Sequence, residues 1–239
     1  MCGRTSLYVP PSVVEARFDA EFSTDYAPRY NIAPRQDLYA VTNDAPGSID
    51  PLEWGILPHF VDDPEDSPRP INARAETAAE KPYFRDAVSK RRCLLIADGF
   101  YEWKGERGSK EPYRIQRTDE QPFAFAGLWE TWAPGNGEGD DGDADEQGAT
   151  DDVLRTCTII TTDANEVVEP IHDRMPVILA EDEEEAWLQR ADLDVLDPFE
   201  NDPLEAYPIS KAVNNPANDS AEVIEPLDTE QSGFDAFTD

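Results

Sequence analysis

The second residue of the chain is cysteine, in the opening MCGR. A small side chain at that position permits removal of Met1, which leaves Cys2 with a free α-amine and a thiol on adjacent carbons. The ordinary pKa is about 7.7–8.0 for such an amine and about 8.5 for the thiol, so both are nucleophiles near neutral pH. The pair can condense with an aldehyde to an imine and close it to a five-membered thiazolidine, which no internal cysteine can do. Three further segments hold groups suited to moving protons or binding charge. PINARAET brings Asn72, Arg74 and Glu76 within five residues. DGFYEWKG sets Glu102 between Tyr101 and Trp103, and strand alternation points it away from both. PIHDRMPVIL supplies His172 and Arg174 just before a short apolar run, and the chain has only two histidines. Each also has a plain structural role open to it: Asn72 in a turn, Glu102 as the partner of Arg74, His172 as a loop side chain bonded to backbone.

The three cysteines, Cys2, Cys93 and Cys157, are odd in number and lack paired spacing, which points away from a disulfide framework and towards a reducing compartment. With two isolated histidines they offer no metal-ligand spacing, and no glycine-rich phosphate loop is present, so no metal or cofactor is expected. There is no run of 18 apolar residues and no signal-peptide pattern after Met1, so the expected location is the cytoplasm, with no membrane contact. Charge is extreme: 52 acidic against 20 basic residues give a net charge of -32. A surface like this normally repels nucleic acid; with lysine scarce beside arginine, it reads as the solvated surface of a halophile, tolerated where screening is strong. Residues 69–117 alone are net positive, with 12 basic and 7 acidic residues, interleaved with Tyr83, Phe84, Phe100, Tyr101, Trp103 and Tyr113. Cations among aromatic rings suit a single-stranded nucleic acid, and equally a salt-bridged face.

These groups need elements to hold them. Ser12, three residues before Glu15, has the spacing of a capping box opening a short helix with Val13, Val14 and Phe18 inward. Asp25–Gln36 reads as an ordered loop. Strand-length apolar runs follow at Leu38–Val41, Cys93–Ala97, Phe100–Lys104, Tyr113–Arg117, Phe123–Trp132, Arg155–Thr162 and Val177–Ala180. Helical patterns cover about 76–90 and 181–190. The expected fold is α+β, mostly antiparallel β-sheet with a barrel-like core and a few peripheral helices, as one domain over 1–225. Residues 134–152 carry eight acidic and no large apolar side chains, and read as a mobile insertion; 226–239 read as a polar tail.

Taken together, the motifs resemble one family, the SOS response-associated peptidase family, also known for abasic-site processing. The resemblance runs through MCGR, YNIAPRQ, LEWGILP, INARAET, DGFYEWK, FAGLWETW, TIITTDAN, IHDRMPVIL and YPISKAVNN, in order across residues 2–215. It implies a barrel-like domain with a groove for the amino terminus, acting as a monomer that crosslinks abasic sites in single-stranded DNA through Cys2. It further implies that Asn72 holds the amino terminus and the opened sugar while Glu102 and His172 manage protons. Arg4 and Arg74 would hold phosphates, and Trp54, Trp103 and the Pro34 loop would stack on or wedge between bases. The family name brings a second reading, a cysteine peptidase with the same nucleophile, limited to releasing its own amino terminus. A third, a noncatalytic acidic interaction protein, leaves INARAET, DGFYEWK and IHDRMP unexplained.

Overall fold

The computed structural model describes residues 2–106, 108–134, 153–201 and 203–227. Strands β1 (Thr5–Leu7), β2 (Glu21–Phe22), β3 (Arg29–Ile32), β4 (Asp37–Thr42), β5 (Ala45–Trp54) and β6 (Asn72–Arg74) fill the first third of the chain. They are followed by β7 (Arg92–Ala97), β8 (Gly99–Lys104), β9 (Glu111–Arg117), β10 (Phe123–Trp132), β11 (Leu154–Asp163), β12 (Arg174–Pro176), β13 (Ile178–Leu179) and β14 (Leu204–Pro208). The helices are short: α1 (Pro11–Phe18), α2 (Ala75–Ala78), α3 (Arg85–Lys90) and α4 (Glu184–Arg190), with two 3-10 turns at Lys211–Asn214 and Ala221–Ile224.

One sheet has the order β14-β9-β8-β1-β3; the other runs β12-β11-β10-β7-β4-β5-β2. Most pairings are antiparallel, but β11 also lies parallel to β5, through Thr156↔Glu53 and Cys157↔Trp54, and to β6, through Ile159↔Asn72. The β5 contact closes β5, β4, β7, β10 and β11 into a ring, the counterpart of the expected barrel-like core. One apolar cluster includes Trp54, Leu95, Phe100, Phe125, Ile159 and Cys2. A second joins Leu94, Ile96, Leu128 and Ile160 to helix residues Val14, Val88 and Trp187. Leu94 and Ile96 thus serve one cluster and Leu95 the other, as strand alternation requires.

Several expectations change. Helix α1 has no side-chain cap: it starts at Pro11 behind Pro10, whose fixed φ suits a first turn, Ser12 lies inside it, and Glu15 Oε1 instead accepts from the Phe22 N–H. The single helix over 76–90 is two, α2 and α3, with Pro82 between them, where the missing N–H and the restriction on Lys81 break the pattern. The loop at 25–36 contains β3, and the segment before 177 contains β12. Within YNIAPRQ, Pro34 and Arg35 form a turn closed by Gln36 N–H to Ala33 C=O at 3.1 Å, with Arg35 at φ 72. Of the expected tail, Pro226 bridges Ile209 and the Leu227 N–H donates to Pro208 C=O, while 228–239 lie outside the described residues, as do 135–152 of the acidic insertion.

Candidate active site

Ahead of β1 the chain is tied down by backbone and side chain. The Tyr101 N–H donates to Arg4 C=O at 3.0 Å, and the Cys2 Sγ lies 3.6 Å from the same oxygen. Cys2 is fully buried. Asn72, at the start of β6, donates from Nδ2 to Cys2 C=O at 2.8 Å. Its Oδ1 is buried and has no hydrogen-bond partner among the described residues, so an acceptor stands open beside the amino terminus. Burial, then the negative charge of Glu102, pushes the Cys2 thiol well up, so it stays protonated until a base takes its proton.

Glu102 is 2% exposed on β8, and burial raises its pKa to about 7 against the pull of the positive amino terminus and Lys110. A carboxyl poised there can give or take a proton at neutral pH. A raised folded-state pKa stabilises below the unfolded value of 4.5, and that contribution is lost as pH climbs through about 7. Glu102 should therefore withdraw up to roughly 3 kcal/mol of stability between about pH 4.5 and 7, and Glu102→Gln should remove that contribution. Urea melts across that range check this; parallel pH profiles for the two proteins would exclude a buried titrating carboxyl.

His172 is half-buried, and its Nδ1 accepts from the Arg174 backbone N–H at 3.0 Å. The same nitrogen lies 3.0 Å from the exposed Asp173 carboxylate, an ion pair only if the ring is protonated. The amide must donate, and burial followed by the amino-terminal charge lowers the pKa against the pull of Asp173, which favours the neutral ring. Arg174 in turn grips Glu76 with both Nη atoms and also bonds Asp163 and Thr161 C=O, joining the helix after Asn72 to the strand after His172.

Asn72 thus bonds Cys2, Glu102 acts on the Cys2 thiol through its charge, and the charge of the amino terminus reaches both Glu102 and His172; the remaining expected contacts divide. Arg74 is exposed, whereas Glu102 is buried. Arg4 and Trp103 are half-buried, with the guanidinium 5.9 Å from the indole centroid; Pro34 is half-buried in its turn. Trp54 is a correction. It is fully buried, its Nε1 donates to Ile71 C=O at 2.9 Å, and no base can stack on it in this position.

Sequence reasoning missed the buried support beneath the site. Arg114, fully buried, reaches the Asp98 carboxylate at 3.3 Å, Ser6 Oγ at 2.7 Å and Tyr101 Oη at 3.1 Å. Asp98 also accepts from Ser6 Oγ and from the Tyr8 and Val9 N–H groups, which fixes β1 against the start of β8. Gly99 is required here, since a Cβ would stand 2.5 Å from Arg114 Cζ. The available signals were an aspartate ending the apolar run LLIAD and an arginine set between Tyr113 and Ile115.

The fold is a mixed-sheet domain that buries Cys2 against the Asn72 carboxamide. The chain belongs to the SOS response associated peptidase (SRAP) family, whose model matches residues 1–216. It is 40% identical over 236 residues to the abasic site processing protein YoaM of Bacillus subtilis, covering 94% of this chain and 98% of that one. The abasic site processing protein YedK of Escherichia coli is 28% identical, covering 95% of this chain and all of its own. A crystal structure of a Bacteroides thetaiotaomicron protein superposes with a TM-score of 0.80 at 27% identity, over 95% of this chain and 100% of that one. No helix among the described residues is long and apolar enough to cross a membrane.

Proposed function

We propose that the chain acts in the response to DNA damage, capturing abasic sites in single-stranded DNA covalently through Cys2, as a monomer in the cytoplasm. The relatives named for abasic site processing support the substrate, and the burial of Cys2 against Asn72 and within the field of Glu102 carries the chemistry. Once Met1 is removed, the Cys2 amine adds to the C1′ aldehyde of the ring-opened sugar. Glu102 in its acid form protonates the departing hydroxyl, water leaves, and an iminium forms. The thiol then adds to the iminium carbon, its proton passes to the Glu102 carboxylate, and the neutral thiazolidine N–H remains. Asn72 Oδ1, the open buried acceptor, is suited to hold that N–H. The neutral His172 ring serves the second proton transfer or orients the sugar hydroxyls. Arg4, Arg74, Trp103 and the Pro34 turn make up the strand-binding side.

Incubating the protein with a single strand bearing an abasic site, then boiling in detergent, should leave a shifted band whose intact mass equals the sum of the two components less one water. Cys2→Ala should lose the closed adduct, Cys2→Ser should give only a short-lived imine, and Glu102→Gln should slow formation by about 10²-fold. A boil-stable adduct of unchanged yield from Cys2→Ala would refute the assignment. The same spectra report whether the purified chain retains Met1, the point at which the peptidase reading differs.

A further inference from the structure

The residues after β14 wrap back over the five-stranded sheet. Ile209, Val213 and Val223 are buried with Tyr101, and Trp103 and Tyr30 pack against that cluster. Phe100, the neighbour of Tyr101, packs instead in the cluster containing Cys2, so successive β8 side chains serve the nucleophile's side and the side covered by this segment.

Two asparagines account for its placement. Asn31 is fully buried; its Nδ2 donates to the carbonyls of Val213 at 3.1 Å, Asn215 at 3.2 Å and Asn218 at 2.8 Å, while its Oδ1 accepts from Arg4 Nη1 at 2.6 Å. Arg4 Nη1 also donates to Val213 C=O at 2.5 Å, so the guanidinium is fixed by one corner and none of these bonds uses Nη2. Asn214, exposed on the same segment, accepts from Trp103 Nε1 through Oδ1 at 2.7 Å and sets the plane of the indole. Asp219 locks the far end by accepting from the N–H groups of Tyr30 at 2.5 Å and Asn31 at 2.9 Å.

We infer that Ser210–Asp219 is a positioning strap: Asn214 and Asn31 hold Trp103 and Arg4 side by side as one surface for a base and its adjoining phosphate, an inference that rests on the strand-binding reading above. An indole with a guanidinium over its ring stacks on any base, and Arg4 Nη2, which takes part in none of these bonds, supplies a charge for the backbone. The strap's own side chains act through Arg4 and Trp103 and touch no reacting atom. In a chain of net charge -32, holding a cation in place limits its sharing with carboxylates elsewhere on the surface.

The test is a double-mutant cycle on Asn214 and Trp103, read by single-turnover adduct formation with a fluorescein-labelled single strand bearing a central abasic site. Asn214 is exposed, so Asn214→Ala should keep the melting temperature while raising the half-saturating DNA concentration by about 5-fold, with the plateau rate unchanged. In the Trp103→Ala background the same change should add almost nothing, because its effect passes through the indole. Asn31→Asp, which keeps an acceptor for Arg4 but loses donors to the strap, should weaken half-saturation at least as much. An unchanged half-saturation in Asn214→Ala, or an equal loss with and without Trp103, overturns the strap. If the wild-type chain forms no adduct, anisotropy of the same labelled strand decides separately. Binding that depends on Asn214 only when Trp103 is present keeps the strap and sinks the covalent reading, whereas absence of binding sinks both.

Discussion

A chain extended so that residues remain ahead of Cys2 should form no boil-stable adduct with an abasic strand, a loss on the order of 10³-fold or more in yield at fixed time. An acylated nitrogen cannot form an imine, and the thiol alone gives a hemithioacetal that reverts on denaturation. The variant keeps every side chain of the site, which separates the amine from the thiol in a way that Cys2→Ala does not. Denaturing gels beside the unextended protein make the measurement, with circular dichroism to show the fold intact. Equal adduct from the extended chain would mean that an internal group reacts, and the role given to the amino terminus would be lost.

The second large effect concerns stability. Arg114→Met should cost roughly 3–5 kcal/mol, because it strands the Asp98 carboxylate, whose side chain is 1% exposed, without its cation. At this chain length that is a fall in melting temperature of roughly 6–20 °C. Asp98→Asn combined with Arg114→Met should recover part of the loss, since the amide oxygen can still accept from the Tyr8 and Val9 N–H groups, the amide nitrogen can donate to Ser6 Oγ, and the buried charge is gone. A loss below about 1 kcal/mol in denaturant melts would show that water reaches the pair and that β1 is held by other means.

The contact of Asn72 with Cys2, and the inward burial of Glu102, match what the motifs led one to expect. An amino-terminal cysteine has few uses, and a carboxyl between two aromatic residues in a strand must face away from both. Trp54 was not legible for an equally local reason. Glu53-Trp54 and Glu102-Trp103 are the same dipeptide in the same kind of strand, yet Trp54 is packed inside the ring and Trp103 stands half-buried under the strap. Only the parallel contact between β5 and β11, made over a separation of about a hundred residues, decides between them. Strand β5 was hidden by its own breakers, Pro46, Gly47 and Pro51. Pro51 falls in the gap between the β2 pairing at Ser48–Ile49 and the β11 pairing at Glu53–Trp54, where β5 has no ladder partner on that side. Strand β6 was not foreseen because Asn72–Arg74 is only three residues long and runs straight into α2. Asn31 passed unnoticed within a proline-bounded loop, since its partners lie more than 180 residues further on.

That distance sets a clock on biosynthesis. The hydrogen bond from Arg4 to Val213 spans 209 residues, and the contacts of Tyr30 and Asn31 with Asp219 span 189 and 188. At about 5–20 residues per second, a ribosome takes roughly 10–40 s to make the second half of each contact after the first has been polymerised. Throughout that interval Arg4 has no strap to bond to and the seat around Cys2 is unfinished. On the proposed chemistry, the nascent amino terminus stays open to methionine trimming until Asp219 has been made, and its pocket closes only after that. Under the proposed role of Cys2, synthesis order favours unmasking the nucleophile before sheltering it.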